Sequence, residues 1–411
     1  MTESVGDFSH ALRNTQQATT VVYESIERLS EWLERNNYRG YDTFDGLSTK
    51  LLRPFTFNNK LLNIALQQGV RRFPINLRPL LGIPKGHSTK AMGFFARGFM
   101  RLYNTTGEPI WRDKAEFALQ WLIDNQSPGY SGACWGNHFD YQSRNGFARK
   151  GLPSVVWTSL IGHAFLDAYE QFHERRFLDV AMSSCNHIIH DLKLLPDNDS
   201  ICIGYFPASI NKVHNANTLG ASLLARVYSF NRNEIYRAVA EKAMRYTANS
   251  QRADSSWYYG EASNLHWVDN FHTAYVLDCF KHYSHSTNDT QFNNCLMRGY
   301  YYWKSTFFDA HGIPRYYDNK TQPLDIQCCS QAIDTLVFFN DLDPDSLTLA
   351  ARVADWTIEN MQDPSGYFYY RRYSSWLVNK TPTLHWGQAT TFCALAGLYQ
   401  LLSRELASCE E

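Results

Sequence analysis

The sequence predicts an all-α protein in which six inner helices form a closed ring inside six outer helices, an (α/α)6 toroid. Two observations predict this fold. Six segments begin with polar residues and continue as small, apolar helices, and from the second onward they start roughly 55 to 60 residues apart. Each is paired with a helix whose apolar residues recur every three or four positions. The repeating unit is therefore an amphipathic helix, a link rich in glycine and aromatic residues, and an apolar helix.

The apolar segments are the predicted inner helices. They begin at His87, Val155, His214, Asp269, Gln327 and His385. A helix with glycine and alanine spread around it must be covered on most sides, so it belongs inside the ring. An open solenoid is the alternative, but it would leave one edge of the six pairs exposed, and the aromatic residues in every link favour closure. We expect a single domain over residues 1–411, with residues 1–16 as a flexible N-terminal tail.

The amphipathic segments are the predicted outer helices. They include TTVVYESIERLSEWLER, WRDKAEFALQWLIDNQ, NEIYRAVAEKAMRYTANSQ and DSLTLAARVADWTIENMQ. A helix with one apolar stripe can face water with the rest of its surface. In a closed ring all six links enter the inner helices at the same end. We therefore expect link residues and first-turn residues to meet around one mouth, and the functional site to lie there.

The composition excludes some classes of function. Lys and Arg number 39 against 40 Asp and Glu, a formal net charge of −1, which indicates neither nucleic-acid binding nor an anionic membrane surface. The sequence has no uninterrupted run of apolar residues as long as a membrane span. Its first residues lack the pattern of a secretory signal, which predicts a cytoplasmic protein. Because aromatic residues make up 15% and their faces can stack on sugar rings, an oligo- or polysaccharide is the expected partner.

The nine cysteines include no CxxC motif, and several fall inside apolar helical segments. A thiol in such a segment behaves as a small hydrophobic group, so we expect reduced cysteines. The sequence predicts no cofactor and no metal. The alternative is a zinc site built from Cys328, Cys329 and His385.

Three stretches carry a resemblance to known proteins. GYDTFDGLSTKLLR, VHNANTLGASLLARVY and WYYGEASNLHWVDNFHTAYVLDCF are similar to polysaccharide-biosynthesis proteins of the VpsJ-like type, within the six-hairpin, glycosidase-like superfamily. The resemblance implies an (α/α)6 fold and a carbohydrate-related role. A looser similarity is to toroid enzymes of the alginate-lyase type, in which an Asn-Asn-His stretch followed by Tyr abstracts a proton beside a uronate carboxylate. Here Asn270, His272 and Tyr275 give N-x-H-x-x-Y, with Phe271 in place of the second Asn.

The fourth inner helix has the densest set of candidate catalytic residues. Asp269 and His272 are three residues apart and share a helix face, as do His272 and Tyr275. Asp269 can orient the imidazole, which leaves His272 as a general base and Tyr275 as a proton donor. The alternative is that Asp269 is only an N-cap and His272 a hydrogen-bonded core residue. Asn270 is predicted to bind substrate.

Two other inner helices begin with histidine. His214 is a further catalytic candidate, and Asn215 beside it is predicted to bind substrate. His385 and Gln388 share a face of the sixth inner helix and are also predicted to bind substrate. Histidine is thus expected at the equivalent position of three repeats.

The links add carboxylates, aromatic side chains and arginines. Glu261 and Asp140 are candidate catalytic carboxylates, with Asp42 and Asp45 as further candidates, although most such residues are solvated charges or caps. Trp135, Tyr258, Tyr259 and Trp267 are predicted to stack on sugars, and the alternative is that they pack the links over the barrel end. Arginines in the links are predicted to pair with acidic sugar groups, or else with the protein's own carboxylates. They are Arg144, Arg315, Arg371 and Arg372.

Three functions are compatible with these residues. The first is an enzyme that abstracts the C5 proton of an acidic glycan and so acts as a lyase or a C5-epimerase. The second is a glycoside hydrolase that uses Asp269 with Glu261 or Asp140 as its carboxylate pair. The third is a non-catalytic glycan-binding subunit of a synthesis complex. The oligomeric state is left open.

Overall fold

The computed structural model describes residues 2–143 and 146–410, with side chains for 15–143 and 146–408. Its helices are α1 (Thr2–Arg35), α2 (Lys60–Arg72), α3 (Thr89–Thr106), α4 (Pro109–Asp124), α5 (Val155–Phe172), α6 (Arg175–His190), α7 (His214–Asn231), α8 (Glu234–Asn249), α9 (Asn270–Thr287), α10 (Asn293–Thr306), α11 (Ile326–Phe338), α12 (Asp345–Met361) and α13 (Thr390–Glu410). A π-helical turn, Leu384–Ala389, leads into α13. No helix in this part of the chain is both long and apolar enough to cross a bilayer.

The inner ring is closed. Helices α3, α5, α7, α9, α11 and α13 each contact the next, and α13 contacts α3. The outer helices α4, α6, α8, α10 and α12 each pack on the inner helix before them in sequence, while α1 packs on α13. The predicted all-α (α/α)6 toroid is therefore confirmed. The single domain over residues 1–411 stays a prediction.

Short strands and 3-10 turns form the links. Antiparallel pairs join β1 (Tyr141–Ser143) to β2 (Gly146–Ala148) and β3 (Leu194–Asp197) to β4 (Ser200–Ile203), and a three-stranded sheet has the order β5 (Leu324–Asp325), β6 (Arg371–Arg372), β7 (Val378–Asn379). The 3-10 turns are Asp45–Ser48, Arg53–Thr56 and Ser263–Leu265.

The N-terminal region contains the predicted tail and an additional helix, α2. The predicted tail falls within the range of α1, which begins at Thr2, but the side chains of residues 1–14 lie outside the described part, so the flexibility of the tail stays a prediction. Helix α2 was not predicted. It belongs to a long link between α1 and α3 that packs on the strand β1 at the mouth.

Small residues allow the inner helices to approach closely. A Cβ atom at Gly98 of α3 would lie 2.6 Å from Cδ1 of Phe392 on α13. A Cβ at Gly162 of α5 would lie 2.6 Å from Cδ2 of Leu223 on α7. Glycine at these two positions therefore allows α3 to approach α13, and α5 to approach α7, closely.

Ion pairs also tie the inner helices together. Arg97 of α3 pairs with Asp167 of α5 at 2.7 Å, and Arg226 of α7 pairs with the other oxygen of Asp167 at 2.8 Å. Arg101 of α3 pairs with Asp334 of α11 at 2.5 Å. These contacts lie further along the helices than the first turns, so they do not compete with groups at the mouth.

Candidate functional site

The first turns of the inner helices meet at the mouth, and four of them begin with a capping side chain. Ser88, Ser154, Asp269 and Asp325 each accept a backbone N–H of the following turn. Capping fixes where each helix starts and so which of its early residues face the ring. The histidines are not in equivalent positions, contrary to the expectation from the repeats. His214 is the first residue of α7, His272 the third of α9, and His385 the second of the π-helical turn.

Asp269 and His272 form a fixed imidazole–carboxylate pair. Asp269 caps α9 by accepting the backbone N–H of His272 at 3.0 Å, and its other oxygen lies 2.7 Å from Nδ1 of His272. The indole N–H of Trp267 donates to that same oxygen at 2.9 Å. With Nδ1 held by a carboxylate, the neutral imidazole has its lone pair on Nε2. Nε2 has no hydrogen-bond partner among the described residues, and the side chain is 22% exposed, so it is available to a ligand.

His385 and Asp42 form a second pair of the same kind. Nδ1 of His385 makes a short hydrogen bond with Asp42, and both side chains are buried. Burial lowers the pKa of His385, and the charge of Lys90 lowers it further. The neutral imidazole is therefore favoured. Its Nε2 is buried without a protein partner. The sequence predicted a binding role for His385 and offered Asp42 as a candidate catalytic carboxylate. It did not predict that the two side chains are paired.

Lys90, the second residue of α3, is a buried cation that the sequence reasoning missed. It is 4% exposed, and its ammonium has no ion pair or hydrogen bond with the described residues. It lies over the rings of Trp157 at 5.5 Å and Tyr275 at 5.8 Å. Burial lowers the pKa of Lys90 to about 8, and the charge of Asp42 opposes that decrease. The sequence signal that could have revealed this residue is a lysine near the start of a predicted core helix.

Several other polar atoms of these first turns are buried without a protein partner. They are Oδ1 of Asn215, Nε1 of Trp157 and Oε1 of Gln327, together with Nε2 of His385. A buried polar group left unpaired costs free energy, so such groups in one place indicate a polar ligand. The sequence did not predict Trp157 and Gln327 as site residues.

Tyr275 lies one turn along α9 from His272 and is also buried. Its hydroxyl oxygen accepts a hydrogen bond from Nε2 of Gln327 at 3.3 Å, which leaves the hydroxyl hydrogen free to be donated. Burial raises the pKa of Tyr275, and Asp334 and Asp278 raise it further. The phenol therefore stays protonated at neutral pH.

His214 and Glu261 form a third pair nearer the surface. Nε2 of His214 lies 2.9 Å from Glu261, whose side chain is 48% exposed. The other nitrogen of His214 is 3.5 Å from Thr247 on the outer helix α8. Both ring nitrogens of His214 are therefore occupied. A small cleft beside it is lined by His214, Asn215, Tyr258, Tyr259, Asp269 and His272.

Aromatic rings surround the His272 pair. Tyr259 stacks on Trp267 with centroids 4.6 Å apart and lies 4.5 Å from the ring of His272. Tyr258 stacks on His266 at 4.3 Å. These half-buried rings lie in the same link as the cleft, and the stacking of Tyr258, Tyr259 and Trp267 on sugars stays a prediction.

Other predicted residues belong to the frame of the barrel. The amide of Asn270 accepts from Trp303 and donates to the carbonyl of Arg315, and the amide of Gln388 bonds to Phe368 and Thr383. Trp135 is fully buried and donates to the carbonyl of Leu122. Because their polar atoms are bonded within the protein, we leave these three residues out of the candidate site.

The remaining predicted residues divide by the partners they have. Asp140 pairs with Arg53 at 2.6 Å and accepts the backbone N–H of Lys150. Nε of Arg315 is buried without a partner. Nε and Nη2 of Arg371 both donate to one oxygen of Asp325, at 3.0 and 2.6 Å, as the alternative for the arginines predicted. Arg144 lies outside the described residues.

Within the described residues, no three His, Cys, Asp or Glu side chains are placed to hold a metal ion. The cysteines from Cys134 to Cys393 are free thiols.

Comparison with known structures places the fold among carbohydrate-active enzymes. A cellobiose 2-epimerase from Bacillus thermoamylovorans has 11% identity and a TM-score of 0.59, over 79% of this chain and 90% of that one. A GH76 α-mannanase from Bacteroides thetaiotaomicron has 11% identity and a TM-score of 0.58, over 78% and 87%. A polysaccharide lyase has 10% identity and a TM-score of 0.60, over 94% and 98%. At such identities the likeness shows the (α/α)6 fold alone. No protein-family model and no curated protein matches the chain.

Proposed function

We propose that this chain is a carbohydrate-active enzyme that abstracts the C5 proton of a uronate in an acidic glycan, as a lyase or a C5-epimerase. The observation that carries the proposal is the two imidazoles at the mouth, His272 and His385, each held at Nδ1 by a carboxylate with Nε2 left for a ligand. The similar folds of an epimerase and a polysaccharide lyase support it.

Each role in this chemistry has a candidate residue. His272 acts as the base, with Asp269 orienting it and stabilising the imidazolium that forms. The carbanion-like intermediate places negative charge on the uronate carboxylate, which Lys90 neutralises as a buried, unpaired cation. Tyr275 or His385 returns the proton, to the leaving oxygen in elimination or to C5 in epimerisation. Lys90 takes the place that the sequence reasoning gave to Asn270 or an arginine.

Hydrolysis has less support from the same geometry. A glycoside hydrolase needs two carboxyl groups that can act as acid and as base or nucleophile. The candidate carboxylates are each bonded to a basic side chain: Asp42 to His385, Asp45 to Arg78, Asp140 to Arg53, Glu261 to His214 and Asp269 to His272. Hydrolysis and glycan binding without turnover are kept as outcomes of the test.

The wider setting follows from the sequence resemblance. We propose that the protein serves polysaccharide biosynthesis, as the VpsJ-like resemblance implies, and works in the cytoplasm. The free thiols of the described cysteines support a reducing compartment.

The test is incubation of the purified protein with oligosaccharides of several polyuronates. Absorbance of a new C4–C5 double bond detects elimination, and deuterium incorporation at C5 in heavy water detects epimerisation. We expect one of these signals, and we expect His272→Ala to abolish it. His285→Ala, in the last turn of the same helix, is the matched control. Release of reducing sugar without either signal would establish hydrolysis instead, and binding without turnover would establish a glycan-binding protein.

A further inference from the structure

The exposed apolar side chains of this protein are concentrated in one segment. Half of the large hydrophobic residues that are exposed in the described chain lie between residues 51 and 80. They are Leu51, Leu52, Phe55, Phe57, Leu61, Leu62, Phe73, Ile75 and Leu80. Monomeric proteins rarely expose a large contiguous apolar patch unless something binds there. We refer to these nine residues as the 51–80 surface.

At the start of helix α2 the usual burial pattern is reversed, with leucines exposed while polar residues of the helix are buried. Its buried residues are Asn63, Gln67 and Val70, whereas Leu61 is 74% exposed and Leu62 46% exposed. An ordinary surface helix of a globular protein directs its apolar stripe to the core. The reversal places leucines where only a partner could cover them.

The segment is held firmly to the body of the protein. Gln67 exchanges two hydrogen bonds with the backbone of Gln142, and Thr49 donates to the carbonyl of Leu81 at 2.7 Å. Arg78 is buried and donates to the carboxylate of Asp45 at 2.7 Å. The backbone that carries the exposed apolar side chains is therefore fixed by hydrogen bonds, so their exposure does not result from poor packing of the segment.

The charged side chains within residues 46–107 are all basic. No Asp or Glu occurs between Asp45 and Glu108, a local asymmetry that the near-zero net charge conceals. Lys50, Lys60 and Arg72 are exposed and directly precede Leu51, Leu61 and Phe73 of the 51–80 surface. Exposed apolar side chains interleaved with cations match the interface of an anionic bilayer. There the apolar side chains enter the boundary of the acyl chains, and the cations contact the headgroups.

We propose that the 51–80 surface docks the protein on an anionic phospholipid bilayer, lying in the interface without crossing it. The exposed side chains Phe147 and Trp376 extend the surface, since Arg53 lies over the ring of Phe147 at 5.9 Å and Tyr373 near Trp376 donates to the carbonyl of Arg72. The same long link supplies Asp42 to the mouth. The proposal does not depend on the reaction proposed above.

The test is flotation of the full-length protein with vesicles of phosphatidylcholine, with and without phosphatidylglycerol, at low and high salt. We expect binding only to the anionic vesicles, and weakening as salt screens the cations. The triple variant Phe57→Ser, Leu61→Ser, Ile75→Ser should reduce binding at least tenfold. The triple variant Ile110→Ser, Phe117→Ser, Ile235→Ser changes exposed apolar residues elsewhere and should bind as the unaltered protein does.

Circular dichroism and sedimentation equilibrium complete the design. All substituted residues are exposed, so both triple variants should retain the helical spectrum. Failure of the unaltered protein to bind anionic vesicles would overturn the proposal, as would equal binding by the first variant. A dimer that the first variant dissociates, without vesicle binding, would show that a second copy of the chain covers this surface instead.

Discussion

At the scale of single residues, the distinguishing feature is an imidazole fixed on one side and open on the other. In both His272 and His385 a carboxylate holds Nδ1, and Nε2 has no bond within the described protein. Asp269 has a double function, because one oxygen caps α9 and the other orients His272. These two functions can be separated by substitution.

Asp269→Asn is expected to lower kcat on a uronate substrate by about 10²-fold or more, with little loss of stability. Asparagine caps a helix as well as aspartate does, but it cannot stabilise the imidazolium that forms when His272 takes a proton. The comparison is Ser154→Ala, which removes the cap of α5 and should cost about 1 kcal/mol of stability while kcat stays the same. Equal kcat in Asp269→Asn and the unaltered enzyme would contradict a role for the pair.

The lysine at the mouth gives a prediction about pH. Because the pKa of Lys90 is lowered to about 8, its charge is lost as the pH rises through that value. Affinity for an acidic oligosaccharide should therefore fall above about pH 8, as measured by calorimetry. Lys90→Met should bind weakly, with affinity that does not change between pH 7 and pH 9. Binding by this variant that still falls above pH 8 would assign the effect to another group.

At the scale of elements, some pairs of inner helices pack so closely that only glycine fits at the point of contact. Gly98→Ala would place a Cβ 2.6 Å from the ring of Phe392 and should destabilise the protein by about 1–3 kcal/mol in chemical denaturation. Gly69 on α2 offers the matched control, since a Cβ there meets nothing within 4 Å. Gly69→Ala should be neutral or stabilising by up to about 1 kcal/mol. Similar effects of the two substitutions would argue against close packing of α3 on α13.

The sequence predicted elements that repeat and missed those that do not. Six inner and six outer helices follow from periodicity, and Asp269 with His272 follows from a three-residue spacing on one helix. Helix α2 was missed because it occurs once and the leucines of its first turn face outward. The pairing of Asp42 with His385 was missed because 343 positions separate the two residues. Spacing also does not reveal that neighbouring segments already bind the amides of Asn270 and Gln388, whose binding roles stay predictions.

At the scale of the whole molecule, the ion pairs that link inner helices should make stability depend on pH. Burial raises the pKa of Asp167, but Arg97 and Arg226 outweigh that effect and hold this pKa below its ordinary value. A carboxylate with a lowered pKa stabilises the fold fully above its unfolded pKa of about 4 and loses that contribution at lower pH.

Asp167→Asn should therefore cost about 2 kcal/mol at pH 7, with a smaller difference from the unaltered protein below pH 4. Urea denaturation at several pH values measures both quantities. Asp179→Asn, which removes an exposed ion pair with Arg175, should cost under about 1 kcal/mol at any pH. A pH-independent loss in Asp167→Asn would mean that packing, rather than charge, is what the substitution removes.

The distance along the chain between Asp42 and His385 also has a consequence for synthesis. The two side chains come from the first and the last links of the ring, so their hydrogen bond forms only after His385 has left the ribosome. The earlier repeats can collapse and pack in the meantime, but the mouth has an incomplete set of groups until α13 closes against α3 and α1. A chain released early would therefore lack this pair, and activity would report on completion of the last repeat.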